Sequence, residues 1–186
     1  SNLIDTKNFT ALADGIDSYT FDASEKQLLI ACNSDKIFRH SFTADYFLYD
    51  LATKTLTKLF DFKVQEPTFS PDGTKIAYAK GNNLYVYEIA SKKSVAITSD
   101  GMKNSIINGI TDWVYEEEFA FVRAFDWSKD SKKVAFIRFD ESEVPEFSMS
   151  IFKKELYPTI ETFKYPKAGE KNAIVSLHIY DVAGST

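Results

Sequence analysis

The chain has 186 residues and a formal net charge of −5, with 44% hydrophobic and 15% aromatic residues. That length suffices for one domain with a sizeable core, and the acidic balance leaves no basic footprint for nucleic acid and no polybasic patch for a membrane surface. No apolar run reaches the ~18 residues of a transmembrane helix, and the lone Cys32 excludes an internal disulfide or a thiolate metal cluster.

Ser1-Asn2 reads as the remnant of a cleaved tag, and the two ends read as those of a segment cut from a longer protein. From there the chain repeats itself. Phe21-Asp22-Ala23-Ser24, Phe69-Ser70-Pro71-Asp72-Gly73 and Trp127-Ser128-Lys129-Asp130-Ser131 each follow an aromatic with a short polar turn. In the second, Pro presets φ and Gly accepts a positive φ. An apolar strand follows each turn: Leu28–Ala31, Lys75–Ala79 and Val134–Ile137. A second strand follows in turn, in Phe47-Leu48-Tyr49-Asp50-Leu51, Tyr85-Val86-Tyr87-Glu88-Ile89 and His178-Ile179-Tyr180-Asp181-Val182. Alternating apolar residues mark half-buried strands, and an acid plus an apolar residue closes each one. Cys32, at the end of the first apolar run, reads as a small core residue.

Repeats of roughly 40–60 residues built from short strands predict propeller blades, each a four-stranded antiparallel meander. The predicted fold is therefore all-β, a partial β-propeller with blades over about 11–63, 64–99 and 120–186 and an insertion over 100–119. The third unit is overlong, with an excursion over 141–171 that has room for one added hairpin, and it reads as cut before its last strand. One blade cannot bury both its faces, so neighbours must stack.

The insertion holds the densest charge. In Thr111-Asp112-Trp113-Val114-Tyr115-Glu116-Glu117-Glu118, a short helix opens with Thr111 or Asp112 as N-cap and carries three adjacent glutamates. On residue pattern alone the triplet reads as the solvated face of that helix. The sharper reading is a cation site, because adjacent carboxylates repel and stay ionised most easily beside a positive group such as a substrate ammonium.

Other chemistry is absent from the sequence. No Gly-x-Ser-x-Gly elbow occurs, the only histidines, His40 and His178, lie in strand-like runs, and seven glycines form no phosphate loop. No catalytic residue is assigned in this chain, and no metal or cofactor site.

The stretch Asn108–Glu118 resembles the double-glutamate segment of the dipeptidyl peptidase IV family, in the prolyl oligopeptidase clan of serine peptidases. Arg39-His40-Ser41-Phe42-Thr43-Ala44, Glu143-Val144-Pro145 and Tyr165-Pro166-Lys167-Ala168-Gly169 are similar to further blocks of that family, in family order. The resemblance implies an eight-bladed N-terminal propeller, of which about three blades are here, capping an α/β-hydrolase domain that carries the Ser-His-Asp triad and is not in this chain. It implies that Glu117 and Glu118 bind the free α-ammonium of a peptide, so that Xaa-Pro or Xaa-Ala dipeptides are released, and that Glu116 is structural or solvated. The region that corresponds to the family's substrate-contacting arginine is Leu59–Gln65, which offers only Lys63; Arg39 and Arg123 are the candidate substitutes, though each reads first as half of a surface or core ion pair. A prolyl tripeptidyl peptidase relative and a non-catalytic interaction scaffold are the alternatives. The implied partners are peptides with Pro or Ala second and the hydrolase domain, with a periplasmic, cell-surface or secreted location, while bare blade faces predict self-association of the fragment.

Overall fold

The three turns that recur in the sequence fold alike in the computed structural model, which describes residues 3–152 and 154–184. In each, a side-chain oxygen accepts the backbone N–H five residues on: Gln27 to Asp22 at 2.8 Å, Lys75 to Ser70 at 3.0 Å and Lys133 to Ser128 at 2.9 Å. The residue three after the acceptor is left-handed in all three, with φ of 54° at Glu25, 70° at Gly73 and 60° at Ser131. Small polar side chains that can replace a ladder bond are what such turns require. The acid–apolar endings have an equally common cause. The N–H groups of Leu51, Ile89 and Val182 each donate to a carbonyl of the matching turn, on Lys26, Thr74 and Lys132. The reading of Ser1-Asn2 lies outside the described residues.

These turns join antiparallel strands. The first sheet holds β1 (Ser18–Phe21), β2 (Gln27–Lys36), β3 (Phe42–Asp50) and β4 (Thr55–Lys58), in that order. The second repeats the meander with β5 (Gln65–Phe69), β6 (Lys75–Lys80), β7 (Asn83–Glu88) and β8 (Lys93–Ala96). The third departs from it. Its strands are β9 (Ile106–Asn108), β10 (Phe125–Trp127), β11 (Lys133–Asp140) and, after a separate hairpin of β12 (Glu146–Ile151) and β13 (Thr159–Lys164), β14 (Ile174–Asp181). β10 and β9 share one edge of β11, at Val134–Phe136 and Arg138–Asp140, while β14 takes the other edge. The stretch 100–119 is thus more than an insertion: it supplies β9 and so completes four strands.

Sheet stacks on sheet through alternate strand faces. Leu29, Ala31 and Tyr46 of the first meet Phe69, Ile76 and Tyr78 of the second in one buried cluster. The opposite face of the second, with Ala77, Leu84 and Val86, meets Phe125, Trp127, Val134 and Phe136 of the third. Each such side chain taken from water contributes about 1.5–3 kcal/mol. The far face of the first sheet is covered by the N-terminal segment, with Leu12, Ile4 and Phe9 packed on Leu28, Ile30 and the buried Cys32. The far face of the third is covered near β9, where Ile137 and Phe139 pack with Tyr115 and Phe121, and is bare along β14, where Leu177 and Ile179 are 71% and 66% exposed. No described helix is long and apolar enough to cross a membrane.

Candidate functional site

Between β9 and β10 the chain makes a helical excursion, α1 (Trp113–Phe119). Its base is clamped. Ile110 bridges Arg123, and Thr111 donates its N–H to the Val122 carbonyl at 3.1 Å and its hydroxyl to Phe121 at 3.1 Å. Gly109 turns the chain into the clamp with φ of 75°, where a Cβ would also come within 2.9 Å of Leu84. Of the two N-cap candidates the structure uses Asp112, which accepts from Tyr115 N–H at 2.9 Å. Burial pushes its carboxyl pKa up, against the pull of the capping N–H groups. Ala120, left-handed with φ of 56°, closes the helix by donating to the Glu116 carbonyl.

The three glutamates do three different things. Glu116 is 1% exposed, and its Oε1 accepts the N–H groups of His40 at 2.7 Å and Ser41 at 2.9 Å. The solvated-face reading is therefore wrong for Glu116, which fastens α1 to the β2–β3 loop of the first sheet and satisfies two backbone donors there. Glu117 is partly exposed and held in a fork: Arg39 Nε reaches Oε2 at 2.9 Å and Nη2 reaches Oε1 at 2.7 Å. Glu118, one residue on, is exposed, with no ion pair among the described residues. Arg39 and His40 thus grip Glu117 and Glu116 in parallel, across 78 and 76 sequence positions.

The remaining basic candidates lie elsewhere. Lys63 pairs with Asp35 at 2.6 Å, and Arg123 donates to Thr68 Oγ1 at 3.0 Å and lowers the burial-raised pKa of Glu66. Of Lys63, Arg39 and Arg123, only Arg39 reaches the acidic pair. His178 stacks on Phe136 and meets Ser176 at 2.8 Å, while His40 engages the site through its backbone. Among the described residues no cluster of His, Cys, Asp and Glu is placed to hold a metal. The other flank of α1 meets the β12–β13 hairpin, where Trp113 packs on Tyr165 at 4.6 Å and on Phe163 at 6.2 Å between ring centres.

Residues 22–186 match the family model described as the dipeptidyl peptidase IV N-terminal region. The chain belongs to the dipeptidyl peptidase IV family. A probable dipeptidyl-aminopeptidase B of Emericella nidulans is 42% identical over 173 residues, which take in 84% of this chain and 19% of that protein. One from Phaeosphaeria nodorum is 39% identical over 179 residues, covering 88% of this chain and 20% of the relative. The crystal structure of Porphyromonas gingivalis dipeptidyl peptidase 4 matches all of this chain and 27% of its own, with a TM-score of 0.91 and 39% identity. The three open sheets are accordingly a part of the family's N-terminal β-propeller, and the chain spans about a fifth of the length of the relatives it matches.

Proposed function

We propose that the full-length protein is a serine-type dipeptidyl peptidase that removes Xaa-Pro and Xaa-Ala dipeptides from peptide N-termini. In this reading the chain serves as the part of its propeller that anchors the substrate amine and gates access. Cleavage falls to an α/β-hydrolase domain outside this chain, in a protein that is periplasmic, exposed at the cell surface or secreted. The observation that carries the reading is the exposed acidic pair on α1 with one carboxylate already fixed. Arg39 offsets one of the two negative charges, so the site has one left for one ammonium. It also locks the Glu117 rotamer, which lowers the entropy lost when a peptide binds. An α-ammonium has three donors to satisfy; Glu117 and Glu118 supply charge-assisted acceptors for them. Anchoring the amine at a fixed distance from a nucleophile would set the length of the released product.

The test is the pair of substitutions Glu117→Gln and Glu118→Gln in the full-length protein. Each is expected to lower kcat/KM for an Xaa-Pro substrate by about 10²-fold, the order of one lost charge-assisted contact to a desolvated ammonium. Turnover within threefold of wild type in both would reject the assignment. The bare outer face of the third sheet, with Leu177 and Ile179, is where the next blade is proposed to pack, and the isolated chain is expected to self-associate through it.

A further inference from the structure

A cavity of about 560 Å³ lies beside the N-terminal end of α1, away from Glu117 and Glu118. Ile37 and Phe38 of the β2–β3 loop, Ile110 and Trp113 around α1, and Phe163 of the hairpin give it apolar and aromatic walls. Its volume is in the range of small-molecule sites, about 300–1,000 Å³. Two buried carboxylates, Asp112 and Glu141, also line it, at 4% and 6% exposure. Asp112 is engaged as the helix cap. Glu141 is not engaged: its backbone bonds to Ser105 and Val144, but among the described residues its carboxylate has no hydrogen bond and no ion pair. Neither of its oxygens is sealed from solvent-sized space, so the acid opens on the cavity.

The nearby cations do not serve it. Lys164 Nζ donates to the Val144 carbonyl at 2.8 Å and to Ser142 at 3.2 Å, and its closest carboxylate is Glu146 at 3.9 Å. Lys103 and Glu161, the other charged groups on the walls, are exposed. Burial makes this carboxylate costly to ionise, and it lines a concave, aromatic-walled space. We propose that this cavity binds a small organic cation, a primary amine on an apolar body, with its ammonium received by Glu141 and its body against Trp113 and Phe163. Ammonium next to these rings gains from their faces as well. Burial, with Asp112 adding to it and Lys164 opposing, pushes the Glu141 pKa up to about 7. A bound ammonium draws the proton off, so binding strengthens as pH rises through 7.

The experiment titrates phenethylammonium into the full-length protein by calorimetry, in a Glu117→Gln/Glu118→Gln background that removes the other acidic site. One equivalent is expected to bind, about tenfold more tightly at pH 8 than at pH 6, as the ionised fraction of a group titrating near 7 changes about tenfold over that span. Neutral 2-phenylethanol is expected to bind at least tenfold more weakly. Adding Glu141→Gln should weaken amine binding about tenfold at pH 8 and flatten its pH dependence, with the unfolding temperature recorded to show the variant is folded. Should that variant fail to fold, the pH dependence and the alcohol comparison decide alone. Absence of binding in this background, equal affinity for the alcohol, or unchanged affinity in folded Glu141→Gln would each overturn the proposal.

Discussion

The two ends of α1 handle negative charge in opposite ways. At the C-terminal end, Glu117 and Glu118 face water, and Arg39 already forks onto the first. At the N-terminal end, Asp112 and Glu141 are buried, and no cation within 4 Å answers Glu141 among the described residues. Between them Glu116 is buried like the core, 1% exposed, yet its Oε1 is occupied by two backbone N–H groups. Burial alone therefore does not mark a site. A buried acid with its donors supplied is a fastening; an exposed acid aligned by an arginine, or a buried one left without donors, is a place where something else can bind.

That contrast can be broken from several sides. The largest effect is expected from Glu117→Gln or Glu118→Gln on cleavage by the full-length protein, about 10²-fold in kcat/KM with little change in unfolding temperature. Next is Glu116→Ala, which strands the His40 and Ser41 N–H groups and detaches α1 from the first sheet. It is expected to cost about 3 kcal/mol in denaturant unfolding, the scale of losing hydrogen bonds to a charged group. A loss below about 0.5 kcal/mol would show that the helix does not depend on this fastening.

The Arg39 side chain is 69% exposed, so Arg39→Ala should barely change stability. Free to swing, Glu117 should bind substrate less well, and KM should rise more than kcat falls. An equal fall in kcat and kcat/KM with KM unchanged would instead place Arg39 in the transition state.

A further test concerns pH. Because the Glu141 pKa is raised from 4.5 to about 7, the folded chain keeps a proton there that the unfolded chain has released. Stability from this residue is full below about pH 4.5 and falls as pH rises towards 7. Glu141→Gln should flatten that decline in unfolding experiments between about pH 4.5 and 7. An identical decline in wild type and variant would assign it to other groups.

Much of this architecture was legible in the sequence because it is local and periodic. Asp22, Ser70 and Ser128 recur with the same N–H partner five residues on, and Leu51, Ile89 and Val182 mark the same strand closure three times. The helix and its glutamates were legible for the same reason. What sequence could not give is pairing between repeats. Arg39 and Glu117 are 78 residues apart, and nothing in either neighbourhood encodes the other. The arginine that meets the acidic pair comes from the β2–β3 loop, which leans on α1, and not from Leu59–Gln65 between the sheets. Strand β9 was hidden because three residues, Ile106–Asn108, are too few to show a period. Glu141 has no local signal either: its burial depends on distant chain, and its backbone N–H pairs with the Ser105 carbonyl 36 positions away.

The most direct test of the central claim compares a free-amine Xaa-Pro substrate with its N-acetylated form in the full-length protein, before and after Glu117→Gln/Glu118→Gln. Wild type is expected to prefer the free amine by about 10²-fold or more, and the double variant to lose most of that preference, if the acidic pair reads the charge. A double variant that still discriminates as wild type does would contradict that claim.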